Sequence, residues 1–374
     1  MRPDSQRRKF ESILAPADIR INGDRPWDLQ VHDDRLYSRV LASGTLGAGE
    51  AYMDGWWDAD ALDQLICRAV SAGLEYQLKP WHLLGDVVIA RMKNLQKPGR
   101  AFQVGKIHYD LGNDLFEAML DKRMNYSCGY WADADTLDDA QTAKLDLVAR
   151  KLMLEQDMRV LDIGCGWGGA ARYFAEQYGV EVVGVTVSRS QLELGQEIVA
   201  GLPIELRLQD YRELNETFDR IYSIGMFEHV GHKNYRAYFN VVKRCLDEGG
   251  LFLLHTIGTN VTRPSVDPWI ARYIFPNAEL PSAKQITRAA ESVLLLEDWH
   301  NFGPDYERTL KYWHENFEAA WPELCINYDD RFRRAWRYYL LSSAGSFRAR
   351  ANQLWQIVWS TGRNGDIYRP ARIR

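Results

Sequence analysis

Long apolar segments are missing from this chain of 374 residues. A membrane-spanning helix needs roughly 20 apolar residues in succession, and no stretch comes near that length. The basic beginning, MRPDSQRRKF, leads into no apolar segment, so we expect no secretory signal. Cysteine is also scarce: the five cysteines show neither paired nor metal-ligand spacing, so we predict no disulfide framework and no metal site. Together these absences predict a globular protein of a reducing compartment, the cytoplasm.

Acidic residues are nearly missing from the C-terminal segment, residues 331–374. It holds ten arginines against the single acid Asp366, a charge of +9, whereas the whole chain carries -5. A nucleic-acid partner would fit this charge, and so would a membrane interface, because the arginines are mixed with aromatic and aliphatic residues. A solvated face with core aromatic residues behind it explains the pattern as well. Charge alone leaves these alternatives open.

Residues 1–105 have a mainly helical pattern, and we predict that they form a small separate domain. A turn-rich patch, SGTLGAGEAYMDGWWDAD, lies around residues 44–60. Residues 79–97 predict a helix with one apolar face, made of Leu83, Leu84, Val87, Val88, Met92 and Leu95. Basic residues lie on its other face or at its ends, so this helix can either rest on anionic lipid or pack on the main domain.

Residues 106–374 alternate between β-rich runs and helical stretches. The predicted strands are MRVLDIG, VEVVGVTV, IELRLQD, FDRIYSIG and GLFLLHTI, with two late strands at SVLLLEDW and QLWQIVWST. Strands that alternate with helices form a parallel doubly wound sheet, whose ligands sit at the carboxyl ends of the strands. The aromatic-rich stretches between residues 258 and 288, and between the late strands, are predicted insertions that cap the site.

The first strand leads into a glycine-rich loop, DIGCGWGG at residues 162–169, which opens a helix. Glycines let the backbone turn sharply and approach a ligand closely. The loop also satisfies GxGxxG, so a dinucleotide is an alternative ligand. However, the acid that would hold the ribose of NAD is missing, because the second strand ends Gly184-Val185-Thr186. Asp162, two residues before the first glycine, instead matches the arrangement in S-adenosylmethionine-dependent methyltransferases.

Other groups must then hold the ribose and the adenine of S-adenosylmethionine. Thr186 and Gln191 follow the second strand and can make polar contacts. Asp210 ends the third strand and can accept from the adenine amino group, although a helix or turn cap is a competing role for it. Glu228 and His229 follow the fourth strand, where an acid beside a histidine is typical of a functional site. Spacing does not decide which of the two faces that site.

Ten segments resemble the bacterial cyclopropane-fatty-acyl-phospholipid synthase family and come in the family's order. They are AYMDGWWDAD, VGKIHYDLGNDLFEAML, YSCGYW, VLDIGCGWGG, GVTVSRSQ, GMFEHVGHKNY, LLHTIG, DPWIARYIFPN, EDWHNFGPDY and FRARANQLWQ, within residues 44–362. The family includes the mycolic acid cyclopropane synthases, which lack an N-terminal module, so residues 1–105 indicate the phospholipid branch. The resemblance implies a doubly wound, Rossmann-like α/β methyltransferase domain with capping insertions at residues 106–374, after a small, mainly helical N-terminal domain.

The resemblance also implies a reaction, the transfer of a methylene unit from S-adenosylmethionine to the cis double bond of an acyl chain in a membrane phospholipid. The π bond attacks the sulfonium methyl carbon without a base, and closing the ring from the resulting carbocation requires a proton to leave. By resemblance the base is a bicarbonate ion held by Cys128, Glu228, His255, the amide of Ile257 and Tyr306. From the residues alone, core packing is the better explanation of Cys128, His255 and Tyr306.

The predicted contacts with S-adenosylmethionine come from the loop, the strand ends and the resemblance. They are Tyr126, Ser127, Asp162, Gly164, Gly166, Thr186, Gln191, Asp210 and Tyr211. We expect unsaturated phospholipids and a second copy of the chain as partners, no nucleic acid, and a place on the inner face of the cell membrane. Ser343 stands where some relatives carry a cysteine, so a thiol there is not needed. A methyltransferase with a methyl-branched product and a noncatalytic lipid-binding protein are the alternative functions.

Overall fold

The computed structural model describes residues 3–77, 112–263, 265–362 and 368–369. The predicted helix of residues 79–97 and the predicted domain boundary at residue 105 lie outside these ranges. Within the described ranges, every helix is too short or too polar to cross a bilayer.

Helices and strands alternate along most of the described chain. The helices are α1 (Pro3–Leu14), α2 (Arg35–Met53), α3 (Leu62–Ser71), α4 (Leu74–Gln77), α5 (Asn113–Met119), α6 (Leu137–Leu152), α7 (Gly169–Tyr178), α8 (Arg189–Ile198), α9 (Tyr235–Cys245), α10 (Pro268–Tyr273), α11 (Ala283–Ala290), α12 (Pro304–Leu324) and α13 (Asp330–Arg348). The strands are β1 (Gln30–Val31), β2 (Trp57–Asp58), β3 (Arg159–Ile163), β4 (Glu181–Thr186), β5 (Ile204–Leu208), β6 (Phe218–Ile224), β7 (Leu246–Thr259), β8 (Leu295–Asn301) and β9 (Asn352–Ser360). All the strands predicted from the sequence are present, as β3 to β9.

The chain divides into two compact units. The first combines Met1–Lys93 with Pro264–Pro276 and Tyr306–Asn352, and the second combines Asn94–Arg263 with Asn277–Asp305 and Gln353–Arg374. The N-terminal segment therefore shares its unit with two later segments, which come from the aromatic-rich stretches predicted to be insertions. The capping role of those stretches stays a prediction.

A seven-stranded sheet with the order β5-β4-β3-β6-β7-β9-β8 is the frame of the second unit. β3 pairs in parallel with β4 on one side and with β6 on the other, and β5 and β7 continue the parallel pairing outward. The chain thus winds away from β3 in both directions, and a ligand crevice forms at such a point. The doubly wound fold is confirmed. The antiparallel pairing of β8 with β9 was not predicted.

The side chains of the central strands point alternately to the two faces of the sheet, and both faces are buried. In β3, Leu161 and Ile163 belong to one apolar cluster and Val160 to another, because successive side chains point to opposite faces of a sheet. β4 does the same with Val183 and Val182. Such nearly continuous apolar strands are typical of parallel sheets covered by helices on both sides, so the sheet is held rigidly beneath its carboxyl edge.

The turn-rich patch predicted around residues 44–60 is helical over much of its length, since α2 continues to Met53 with a break at Gly44. Two of its glycines, Gly47 and Gly49, serve close packing within this helix region. A Cβ on Gly49 would overlap the ring of Trp269 in α10, so the absent side chain lets the two helices of the first unit come together. The prediction of turns is confirmed for residues 54–60, where turns and a bend flank β2. It was wrong for residues 45–53, because their packing partner lies far along the chain, where local sequence gives no sign of it.

The arginines of α13 are largely neutralised inside the first unit. Their ion pairs join Arg331 to Asp54, Arg333 to Glu318, Arg334 to Asp58 and Arg348 to Asp63. The positive charge of residues 331–374 that is available to an outside partner is therefore smaller than the sequence alone indicates.

Candidate active site

A cavity opens in the second unit at the carboxyl ends of β3, β4, β5 and β6. Every residue predicted to contact S-adenosylmethionine lines it: Tyr126, Ser127, Asp162, Gly164, Gly166, Thr186, Gln191, Asp210 and Tyr211. The parallel register brings them together, because Asp162 lies beside Gly184 of β4 and Tyr222 of β6. The strands therefore end at one level, and the loops that follow them share one crevice.

The glycine loop has the backbone that its sequence predicts. Gly164 and Gly166 have positive φ angles of 95° and 54°, a region that favours glycine. A Cβ on Gly164 would lie 2.6 Å from the Cβ of Met226, whereas a Cβ on Gly166 would meet nothing closer than the amide of Gln191 at 4.0 Å. Gly164 is thus required by the packing of the loop itself, and Gly166 borders open space in the cavity.

The end of β4 supplies neutral polar groups where a dinucleotide site would carry an acid. Thr186 donates from its hydroxyl to Oε1 of Gln191 over 3.3 Å, and both side chains are buried. Ser188 caps α8 by accepting from the backbone of Gln191 over 3.3 Å. The capped helix therefore holds Gln191 beside Thr186 at the cavity.

Asp210 is a turn cap, and its contact with adenine stays a prediction. It lines the cavity, and it also caps the short 3-10 turn Tyr211–Glu213 by accepting from the backbone of Arg212 over 3.0 Å. The Arg212 side chain donates a further bond to it over 2.8 Å from Nε. This charge partner also lines the cavity and was missed by the sequence analysis. The only sign of this role in the sequence was the position of Arg212, two residues after the third predicted strand.

Lys144 is a second cavity residue that the sequence analysis missed. It lies in α6 and is fully buried, yet it borders the cavity. Its ammonium donates to Oδ1 of Asn125 over 3.2 Å and to Oγ of Ser127 over 3.1 Å. Gln141, one turn earlier, donates to the carbonyl of Ser127 over 2.7 Å. The signal was a lysine on the apolar stripe of a helix, a position that water-facing lysines do not take.

Glu228 and His229 face different surroundings. His229 lines the cavity, and burial lowers the pKa of its imidazole to about 4. Glu228 instead accepts from the backbone amide of Ile257 in β7 over 2.7 Å. Burial raises the pKa of Glu228 to about 7, although the Ile257 amide opposes that shift. Two of the predicted bicarbonate ligands, Glu228 and the Ile257 amide, are thus hydrogen-bonded to each other. The amide that was expected to bind the ion donates to Glu228 instead.

His255 lies in β7 and is buried in the second unit. Its Nδ1 is 3.3 Å from the side-chain amide of Gln356, and its Nε2 has no hydrogen-bond partner. Burial, together with the positive charges of Lys144 and Lys151, holds the pKa of the imidazole well below its ordinary value. Glu228 also keeps one buried oxygen, Oε2, without a partner. Two buried polar atoms therefore remain available to a further group.

The other two predicted bicarbonate ligands belong to different units. Cys128 is fully buried in the second unit, and its thiol donates to the carbonyl of Gly129 over 3.2 Å. Tyr306 belongs to the first unit, where it lies in the first turn of α12 and stacks on Phe347 with ring centroids 4.5 Å apart. None of the five predicted ligands is among the described residues that line the cavity.

The raised pKa of Glu228 predicts a pH dependence of stability. The folded carboxyl holds its proton until about pH 7, whereas an unfolded one loses it near 4.5. Its stabilising contribution is thus present below pH 4.5 and lost as the pH rises through 7. The raised pKa of Asp162, also about 7, acts in the same direction. Glu228→Gln should therefore reduce the loss of unfolding free energy between pH 5 and pH 8 by about 2 kcal/mol.

Urea denaturation followed by circular dichroism at the two pH values measures this difference. Asp162→Asn is the parallel variant, since it removes the other carboxyl with a raised pKa. It should separately reduce the change of unfolding free energy with pH. If Glu228→Gln keeps the full pH dependence of the unmodified protein, the Glu228 carboxyl is ionised in the fold at neutral pH.

Comparisons with known proteins agree with this geometry. The family model of mycolic acid cyclopropane synthetase matches residues 96–357. The cyclopropane-fatty-acyl-phospholipid synthase of Escherichia coli (strain K12) is 55% identical over 361 residues, which cover 96% of this chain and 94% of that protein. The structure of the cyclopropane synthase MmaA2 from Mycobacterium tuberculosis matches with a TM-score of 0.65 and 32% identity, over 69% of this chain and 97% of that one.

A second solved structure in the same group was determined with small molecules bound. It is the mycolic acid cyclopropane synthase CmaA1 complexed with SAH and CTAB, with a TM-score of 0.64 and 33% identity. It covers 69% of this chain and 97% of its own. The long matching segment, the high identity over nearly the full length and the shared fold together show that this chain belongs to the mycolic acid cyclopropane synthetase family.

Proposed function

We propose that this protein is an S-adenosylmethionine-dependent methyltransferase that converts cis double bonds of acyl chains in membrane phospholipids into cyclopropane rings. The observation that carries this proposal is the cavity at the switch point of the sheet, which all the predicted donor contacts line. The similarity to the Escherichia coli phospholipid synthase along 96% of the chain supports the phospholipid as the acceptor.

The cavity suits a nucleoside with a charged amino acid tail. The loop at Gly166 leaves open space for close approach, and Thr186 with Gln191 offers neutral hydrogen-bonding groups suited to ribose hydroxyls. The carboxylate of Asp210, fixed by Arg212, is an acceptor suited to the adenine amino group. An alkene attacks a sulfonium methyl group without any protein nucleophile, so the absence of a thiol at Ser343 fits the reaction.

The proton that leaves before ring closure needs an acceptor. Bicarbonate, when bound, would supply that base, and Glu228 and His255 are the residues that would hold it. Each keeps one unpartnered buried atom, Glu228 Oε2 and His255 Nε2. The neutral imidazole of His255 can donate from Nε2 to the oxyanion, while Oε2 of Glu228 can accept the bicarbonate hydroxyl. In this arrangement the Ile257 amide orients Glu228.

The protein would work as a peripheral protein on the inner face of the cell membrane, as a homodimer. Residues 331–374 and the predicted helix at residues 79–97 would contact anionic head groups, each free cation contributing about 1 kcal/mol near the surface. The ion pairs of α13 reduce the number of such cations. Fewer cations would therefore take part in docking than the sequence alone indicates.

The function is tested by incubating the protein with vesicles of unsaturated phospholipid and methyl-labelled S-adenosylmethionine. We expect labelled acyl chains that have gained one carbon and two hydrogens and show the upfield proton resonances of a cyclopropane ring. A labelled product that keeps a double bond would establish the methyl-branching alternative. No label in lipid and no binding of the donor would leave only a lipid-binding role. Turnover should rise with the anionic lipid fraction and fall with salt if docking is electrostatic.

A further inference from the structure

Lys144 occupies a position where a charge is costly. Gln141, Lys144, Val148 and Lys151 follow one another at intervals of three and four residues along α6, and all four are buried. Lysine is among the residues least often buried, because its ammonium loses its hydration. Burial accordingly lowers the pKa of Lys144 to about 8. A leucine or methionine would fill such a stripe at less cost, so the charge itself calls for an explanation.

The hydrogen bonds of Lys144 determine which atoms of its partners act as acceptors. An ammonium has three donors and no acceptor, so Asn125 Oδ1 and Ser127 Oγ must both accept from it. Asn125 is held from its other side, since its amide nitrogen donates to Asp121 over 2.9 Å and its backbone donates to the same carboxylate over 2.7 Å. The loop between α5 and α6 is therefore oriented by buried charges at both ends.

The bond from Lys144 leaves the Ser127 hydroxyl free to act as a donor. Because its oxygen accepts from Lys144, its own hydrogen must be donated elsewhere, and both residues line the cavity. A hydroxyl that donates, backed by a desolvated ammonium, is a receptor for an anion. In the methyl donor of the proposed function, the anionic group is the carboxylate of the amino acid tail.

We propose that Lys144 is a positioning residue that sets the specificity of this cavity: it orients Ser127 as a donor and supplies the positive charge that holds the tail carboxylate of the methyl donor. This rests on the proposed function. The charged and titratable groups facing Lys144 are Asp121, Cys128 and Asp162, and it also acts on His255. A structural role in neutralising Asp121 and Asp162 is the competing explanation, and it predicts no dependence on the ligand's tail.

Two ligands that share a nucleoside separate the explanations. S-adenosylhomocysteine carries the amino acid tail, and 5′-methylthioadenosine lacks it. Calorimetry of Lys144→Met should show S-adenosylhomocysteine binding about 10- to 100-fold more weakly than in the unmodified protein, whereas 5′-methylthioadenosine changes less than about twofold. A parallel loss for both ligands, or no loss for either, overturns the proposal.

Lys151→Met is the matched control, because Lys151 is equally buried two turns further along α6 but contacts His300 and Asp298 instead of the cavity. It should lower stability and leave the ratio of the two affinities unchanged. Ser127→Ala keeps the test decisive if Lys144→Met does not fold, since it removes the oriented hydroxyl and should weaken only the ligand with the tail. If the unmodified protein binds neither ligand, the proposed function is contradicted as well. If it binds both and Lys144→Met leaves the ratio of the two affinities unchanged, only the role proposed for Lys144 is contradicted.

Discussion

Glu228→Gln and His255→Ala should each lower the rate of cyclopropane formation at saturating donor by about 10²- to 10⁴-fold, the range of general acid–base contributions. Neither residue is among those that line the donor cavity. The affinity for S-adenosylhomocysteine should therefore change less than about threefold in either variant. Glu228→Gln keeps the size of the side chain and its ability to accept from Ile257, so a loss of rate would report the carboxyl itself.

His229 provides the control for this prediction, because it is next in sequence to Glu228 but lines the cavity. His229→Asn should weaken donor binding more than it lowers the rate at saturating donor. Carbonate-depleted buffer should slow the unmodified protein, and added bicarbonate should restore it without rescuing Glu228→Gln. Near-normal rates in both Glu228→Gln and His255→Ala, together with indifference to bicarbonate, would remove these residues from the proton transfer. A collapse of the rate in His229→Asn alone would assign the role to His229.

The sequence was sufficient to predict the parallel part of the sheet and the cavity at the carboxyl ends of its strands. Both depend on patterns that are local in the chain, such as the buried strand before Gly164 and the polar residues that directly follow β4 and β5. Parallel strands end at a common edge, so residues found separately in sequence could be placed together without knowing any side-chain contact. Thr186 and Asp210 were predicted in this way, and the structure places both at the cavity.

Contacts that depend on packing could not be predicted in the same way. Lys144 reaches the cavity because α6 turns its buried stripe toward Ser127, and a helical pattern alone does not say which loop that stripe meets. Gly49 packs on Trp269, which no local pattern could show. The bond between Glu228 and Ile257 depends on the neighbouring positions of β6 and β7 in the sheet, where Ile224 pairs with His255.

The site therefore has two parts with different supports. The donor cavity rests on the loops after β3, β4 and β5, whereas Glu228 and His255 rest on the pairing of β6 with β7. We therefore expect that the proposed donor binding and the proposed proton transfer can be changed one at a time by substitution. A variant of the glycine loop should lose donor affinity, in contrast to the variants of Glu228 and His255, which should lose rate.

Gly166→Val should abolish binding of S-adenosylmethionine, with a loss of affinity of about 100-fold or more. A Cβ at Gly166 would meet no protein atom closer than about 4 Å, so a branched side chain would extend into the space through which the ligand approaches the loop. The positive φ of 54° adds backbone strain on the order of 1–2 kcal/mol, which alone would lower stability without specifically blocking the cavity. The two effects must be separated by a control.

Gly201→Val is that control. Gly201 has a φ of 81° and open space around it, as Gly166 has, but it is not among the residues that line the cavity. Both variants should lose similar stability in urea denaturation, and only Gly166→Val should lose heat of binding in calorimetry with S-adenosylhomocysteine. The affinity of Gly166→Ala for the ligand should lie between those of the two valine variants, because a single methyl group fills less of the space that the ligand needs. If folded Gly166→Val binds the ligand as Gly201→Val does, the glycine loop does not contact the methyl donor, and the donor must occupy another part of the cavity.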